Sequence, residues 1–152
     1  MDYAMNAFAL PLTLTAALLA VVLSGCNRYQ VTVNERVVHT PPALFTDYDV
    51  SAPGLATCLN QTIKDRQISA ANQLTLLNCA NGTITSLDGI QVFSALKTIN
   101  LSNNALSDIK PLLYLGNLES VSLEANPDLQ CKDALALAQQ LRGTVRLPEH
   151  CR

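Results

Sequence analysis

Five cysteines carry most of the chemistry that this 152-residue sequence can offer: Cys26, Cys58, Cys79, Cys131 and Cys151. A thiol can become a nucleophile, a metal ligand, a disulfide partner or a modification site, and spacing and compartment decide which. No Cys-x-x-Cys pair or His/Cys cluster occurs, and only His39 and His150 could complete a metal site, whose ligands ordinarily come at tighter spacing. Neither a metal nor a cofactor is expected. His150 directly precedes Cys151, but sequence neighbours rarely face each other, so a thiol–base pair is not the favoured reading. Asp88, Asp108 and Asp128 recur along the chain at positions that suit solvating or capping turns. With no Gly-rich phosphate loop, nucleophile elbow or metal motif, no catalytic residue is assigned and an enzyme is not expected.

The odd count of cysteines is resolved at the N-terminus. Phe8 to Leu23 is an almost uninterrupted apolar run, short for a membrane span but suited to the core of a signal peptide. It ends in Leu23-Ser24-Gly25-Cys26, which resembles the lipobox of bacterial lipoproteins. That resemblance implies a signal peptide over residues 1–25, cleavage before Cys26, and acylation of Cys26 with palmitate-type chains. Two or three such chains give stable anchoring at about 0.8 kcal/mol per buried CH₂. The segment before the run departs from the usual pattern, with Asp2 and no Lys or Arg; translation from Met5 would remove Asp2. By resemblance to enterobacterial lipoprotein sorting, where Asp after the Cys favours inner-membrane retention, Asn27 implies the periplasmic side of the outer membrane rather than the inner membrane.

With Cys26 acylated, Cys58, Cys79, Cys131 and Cys151 remain, an even set in an oxidising compartment. Their pairing follows from the pattern around them. Leu96-x-x-Ile99-x-Leu101-x-x-Asn104-x-Leu106 recurs as Leu118-x-x-Val121-x-Leu123-x-x-Asn126, each position displaced by 22 residues. One interval earlier stand Leu74, Leu77, Cys79, Gly82 and Ile84, and Leu87, Ile90 and Phe93 align with Ile109, Leu112 and Leu115. A fixed period of this length signals stacked repeats. Cys79 takes an inward position of the first unit and Cys58 lies on the helix expected to cover it. Cys131 opens the last helical pattern and Cys151 closes the chain, so a bridge between them would staple the C-terminal cap. Cys58–Cys79 and Cys131–Cys151 are the expected bridges, with a free, buried Cys79 as the alternative.

These repeats resemble the 22-residue class of leucine-rich repeats found in internalin-like bacterial proteins, over about Leu74 to Leu129. The resemblance implies an α/β fold, a short solenoid of about three repeats with parallel strands on its concave face and helical N- and C-terminal caps. It also implies an internal ladder of Asn104 and Asn126, interrupted by Gly82, where the adjacent Asn81 is a possible substitute. Three domains are expected: the signal peptide 1–25, a flexible tether 26–50, and the repeat domain with caps 51–152. Tyr29, Val31 and Val33 alternate with polar residues as a brief strand, stopped by Thr40-Pro41-Pro42. A helix is expected from Ser51 as N-cap with Leu55, Leu59 and Ile63 inward. A second is expected over Lys132 to Arg142 with Leu135, Ala138 and Leu141 inward and Gly143 beyond its end, before a strand through Val145 and Leu147.

Leucine-rich repeats imply protein binding, which sets the expected function: a membrane-anchored envelope lipoprotein acting as a non-catalytic protein–protein interaction module. A structural or accessory lipoprotein with no dedicated concave-face ligand is the alternative. The outward concave-face candidates are Leu76, Asn78, Ala80, Thr98, Asn100, Ser102, Ser120, Ser122 and Glu124. Four short strands offer only about 240 Å², against about 800 Å² per partner in a standard interface. Lys and Arg number 10 against 12 Asp and Glu, which leaves no electrostatic footprint for nucleic acid. The expected partners are the membrane, through the acyl anchor, and a protein.

Overall fold

The computed structural model describes residues 31–33, 36–39 and 42–152. The apolar run, the Leu23-Ser24-Gly25-Cys26 motif and Tyr29 lie outside the described residues. The chain divides into two units, Met1–Pro41 and Pro42–Arg152. In the first, β1 (Val31–Val33) pairs antiparallel with β2 (Arg36–His39), and β2 stops before the prolines. No helix among the described residues is long and apolar enough to cross a membrane.

The second unit is a mixed α/β body around a four-stranded parallel sheet. Its strands are β3 (Leu76–Asn78), β4 (Thr98–Asn100), β5 (Ser120–Ser122) and β6 (Thr144–Arg146), in sequence order. Leu77, Ile99, Val121 and Val145 stand opposite one another across the sheet. The 22-residue displacement read from the sequence is thus the register of the first three strands. Alternation does the rest: the middle residue of β3, β4 and β5 is buried while its neighbours face outward.

Between strands the chain returns through turns whose apolar residues come about every third position. Ile84, Leu87, Ile90, Phe93 and Leu96 are buried on the first return path, and Leu106, Ile109, Leu112, Leu115 and Leu118 on the next. The short period suits tight turns. The first path holds a 3₁₀ turn at Ile90–Val92, and the second a one-turn helix at Lys110–Leu113. Full burial of each Leu, Ile or Phe is worth about 1.5–3 kcal/mol, so these two stacked rows are a dominant part of the core.

The helix α1 (Pro53–Asp65) lies against β3 and buries Leu55, Leu59 and Ile63, as their spacing predicts. Its N-cap is Ala52 rather than Ser51, with no side-chain cap. Ala52 is buried, so packing dictates a small apolar residue at that position. The helix α2 (Cys131–Gln140) begins one residue earlier than expected and turns Ala134 and Leu137 inward, leaving Leu135 exposed. Gly143 is not a left-handed residue closing that helix. It sits where any Cβ would collide with the Glu119 carbonyl, so its role is close approach of β6 to the neighbouring strand.

The expected boundary at Ser51 also moves. Leu44, Phe45, Tyr48 and Val50 pack against the core, and the Phe45 amide donates to the Ile68 carbonyl at 2.8 Å. Phe45 and Tyr48 meet Phe93 edge-on, with ring centroids 5.9 and 5.3 Å away. Phe93 occupies the position that Leu115 fills in the next unit, and its larger ring gives this segment its anchor. Nearby, Gly89 (φ 91°) passes so close to the Asp49 carbonyl that no side chain would fit. Residues 42–50 therefore belong to the folded body and not to a flexible tether.

Candidate interaction surface

The outward side of the sheet is built in rows. Leu76, Thr98, Ser120 and Thr144 are in register, and so are Asn78, Asn100, Ser122 and Arg146. Leu76 and Asn78 are exposed, and Ala80, Thr98, Asn100, Ser102, Ser120, Ser122 and Glu124 are half-buried. All of the outward candidates therefore lie on the solvent side of the strands or just beyond their ends. Thr144 and Arg146 complete the rows and were absent from the candidates. The step from β5 to β6 is 24 residues rather than 22, so the repeat register does not reach them. Only the Val145/Leu147 alternation pointed to a strand there.

Several of these side chains are already engaged. The Asn100 carboxamide oxygen accepts the Ser102 amide at 3.0 Å, and the Ser102 and Ser122 hydroxyls lie 2.7 Å apart. Glu124 accepts from Arg152 at 3.0 Å, and Lys97 reaches Glu119 at the same distance. A groove of about 610 Å³ opens among residues following β5 and β6, between Glu124–Pro127 and Leu147–Arg152. Of the exposed large apolar side chains among the described residues, Leu76 alone is on the four-stranded sheet; Val92, Tyr114 and Leu135 stand elsewhere.

Beneath the surface, two asparagines fix the turns. Asn104 accepts the Gly82 and Ile84 amides, both at 2.9 Å, and donates to the Cys79 and Leu101 carbonyls. Asn126 accepts the Leu106 amide at 3.1 Å and donates to the carbonyls of Leu101 and Leu123. Each bridges its own turn and the preceding one, satisfying backbone groups that water cannot reach. The ladder stops at Gly82, where a Cβ would lie 3.1–3.2 Å from the Ile84 side chain and the Cys79 carbonyl. Asn81 does not substitute: it lies on the surface, where its side-chain oxygen accepts from the Asn103 side chain.

Disulfides join Cys58 to Cys79 and Cys131 to Cys151, at sequence separations of 21 and 20. Cys131, His150 and Cys151 bring their ligating atoms within 4.8 Å of one another. Both sulfurs there are consumed by the disulfide, and the His150 ring Nε2 lies 3.1 Å from the Leu129 carbonyl. Of the three aspartates, Asp88 and Asp108 line one open cavity of about 440 Å³ along the return paths, and Asp128 stands outside it. Asp108 accepts the Lys110 amide at 2.7 Å and its ammonium at 2.9 Å, which hold its carboxyl below the usual aspartate range. Burial pushes the Tyr48 hydroxyl up. Cys26 lies outside the described residues.

The parallel strands, the period and the asparagine ladder together define a mixed α/β body compatible with a leucine-rich-repeat-like fold. Consistent with that class, a 58-residue stretch is 43% identical to leucine-rich repeat-containing protein 56 of Rattus norvegicus. The match covers 38% of this chain and only 11% of that protein. No family model matches the chain.

Proposed function

We propose that this chain is an envelope lipoprotein whose repeat body serves as a non-catalytic protein–protein interaction module. In this reading Cys26 carries the acyl chains on the periplasmic side of the outer membrane. A short solenoid of internalin-like repeats, closed by α1 and by α2 with β6, stands away from the bilayer. The observation carrying the interaction role is the in-register display of outward side chains above a fully buried ladder. Such a surface is rigid without a ligand, so binding requires little ordering. The triple variant Thr98→Arg/Asn100→Arg/Ser122→Arg leaves the core untouched and should weaken capture of an envelope partner at least about tenfold. An unchanged partner set in a pull-down against the intact protein would overturn the role of this face.

One observation favours a second reading, that of an accessory lipoprotein with no dedicated ligand on the sheet. Apart from Leu76 and Arg146 the rows hold small polar side chains, and no aromatic residue stands on them, whereas binding hot spots are rich in Trp, Tyr and Arg. Arg146 is the one residue of hot-spot type in the rows. Arg146→Ala separates the two readings: lost capture supports the interaction module, and retained capture with loss only on changes elsewhere supports the accessory role. For the anchor, Cys26→Ala should release the processed protein from membranes. Continued tight membrane association of that variant would refute acylation at Cys26.

A further inference from the structure

We propose that the Asn81–Gly82 peptide is a conformationally gated modification site, a deamidation site held shut by the first turn of the repeat body. Asn-Gly is the pair in which the reaction is least hindered, because glycine presents no side chain to shield its nitrogen. The deprotonated Gly82 amide nitrogen attacks the Asn81 side-chain carbonyl carbon and forms a new C–N bond. The carboxamide C–N bond breaks, ammonia departs, and a five-membered succinimide remains. Water, the only co-reactant, opens that ring at either carbonyl to give aspartate or isoaspartate. The net change is loss of ammonia and gain of water.

Asn81 is exposed, so water and base reach it freely. What the fold withholds is motion. The Gly82 amide, which must be released to act as nucleophile, donates to the buried Asn104 oxygen at 2.9 Å. The oxygen on the carbon to be attacked is held by the Asn103 side chain. Asn81 itself sits in the left-handed region at φ 61°. On the other side, the Gly82 carbonyl abuts Gly54 of α1 so closely that a Cβ at 54 would overlap it. Cys58–Cys79 then ties α1 to the residue three positions before Gly82. Ring closure therefore waits until α1 and this turn separate.

The modification is also self-perpetuating. Isoaspartate lengthens the backbone by one carbon and places a negative charge against Asn103, so Gly82 cannot return to Asn104 in the same register. Asn126 of the buried ladder is immune to this route because Pro127 has no amide hydrogen to lose.

The test follows deamidation of the full chain by peptide mass and isoaspartate content in mildly alkaline buffer. It compares native protein, native protein with the disulfides reduced, the Asn103→Ser variant, and wild type unfolded in urea. Native protein should react at least about 30-fold more slowly than unfolded chain, since the reactive form is only the locally opened fraction. Reduction and Asn103→Ser should each raise the native rate by about 3-fold or more while circular dichroism stays native. A native rate within twofold of the unfolded rate would overturn the proposal. So would native-fold rates that neither reduction nor Asn103→Ser changes.

Discussion

Asn104 and Asn126 are the buried polar side chains among the described residues, and Asn126 has no exposed surface at all. Replacing Asn126 with Ala strands the Leu106 amide and the Leu123 carbonyl, while the Leu101 carbonyl keeps its bond from Asn104, an expected loss of about 3 kcal/mol measurable by urea unfolding. A gain is available one residue earlier. Asn81, Asn103 and Ala125 all adopt left-handed φ, at 61°, 56° and 55°, at successive 22-residue steps. Asparagine adopts that conformation at lower cost than alanine, so Ala125→Asn should stabilise by about 0.5–1 kcal/mol. The Asn104/Asn126 pair was legible in the sequence because it shares the repeat period. The left-handed row was not, since two asparagines and an alanine do not announce one backbone state.

Between elements, the disulfides do what the tight α1 and α2 packing alone does not: each ties a helix to a separate part of the chain. Cys58→Ser/Cys79→Ser should lower stability by about 3 kcal/mol in the loop-entropy picture, read as a fall in thermal midpoint. Phe45→Ala, which removes one ring from the cluster on Phe93, should cost a comparable amount, about 3 kcal/mol. Were residues 42–50 a loose tether, that change would leave the midpoint where it is. The segment escaped sequence reading because Phe45 and Tyr48 follow no helical or strand period. Their burial depends on a ring at Phe93 in a distant unit. A smaller electrostatic effect sits on the second return path. The backbone amide of Lys110 is the largest influence holding the Asp108 carboxyl down, ahead of the ammonium. Lys110→Met should therefore raise the Asp108 titration midpoint only part of the way back, as followed by NMR. Any stability this carboxyl contributes is present above its unfolded-state pKa and fades as pH falls through its depressed folded value.

For the molecule as a whole, the architecture was the legible part. The period of the leucines reappears as strand register, and the inward set follows it almost residue for residue. The surface was less legible, because Thr144 and Arg146 arrive through a strand that breaks the period. The near balance of charge and the pairing of Lys97 with Glu119 and of Arg152 with Glu124 bear on partner capture. Under the interaction reading, moving from low to physiological salt should change affinity by less than about threefold. A steep salt slope, measured by titration calorimetry once a partner is in hand, would place the contact on another face.

The equal spacing of the first three strands has a consequence for how such a chain can change length. Leu76 faces Thr98 and Thr98 faces Ser120 in the same register, so the middle module meets near-identical neighbours above and below. A tandem duplication of residues 96–117 would therefore slot in as another storey, with its own asparagine docking on the turn beneath. Both ends, with their disulfides, would be left as they are. Growth by internal copying is open to this protein, because the inserted module would meet on both sides the neighbours that the middle strand already has.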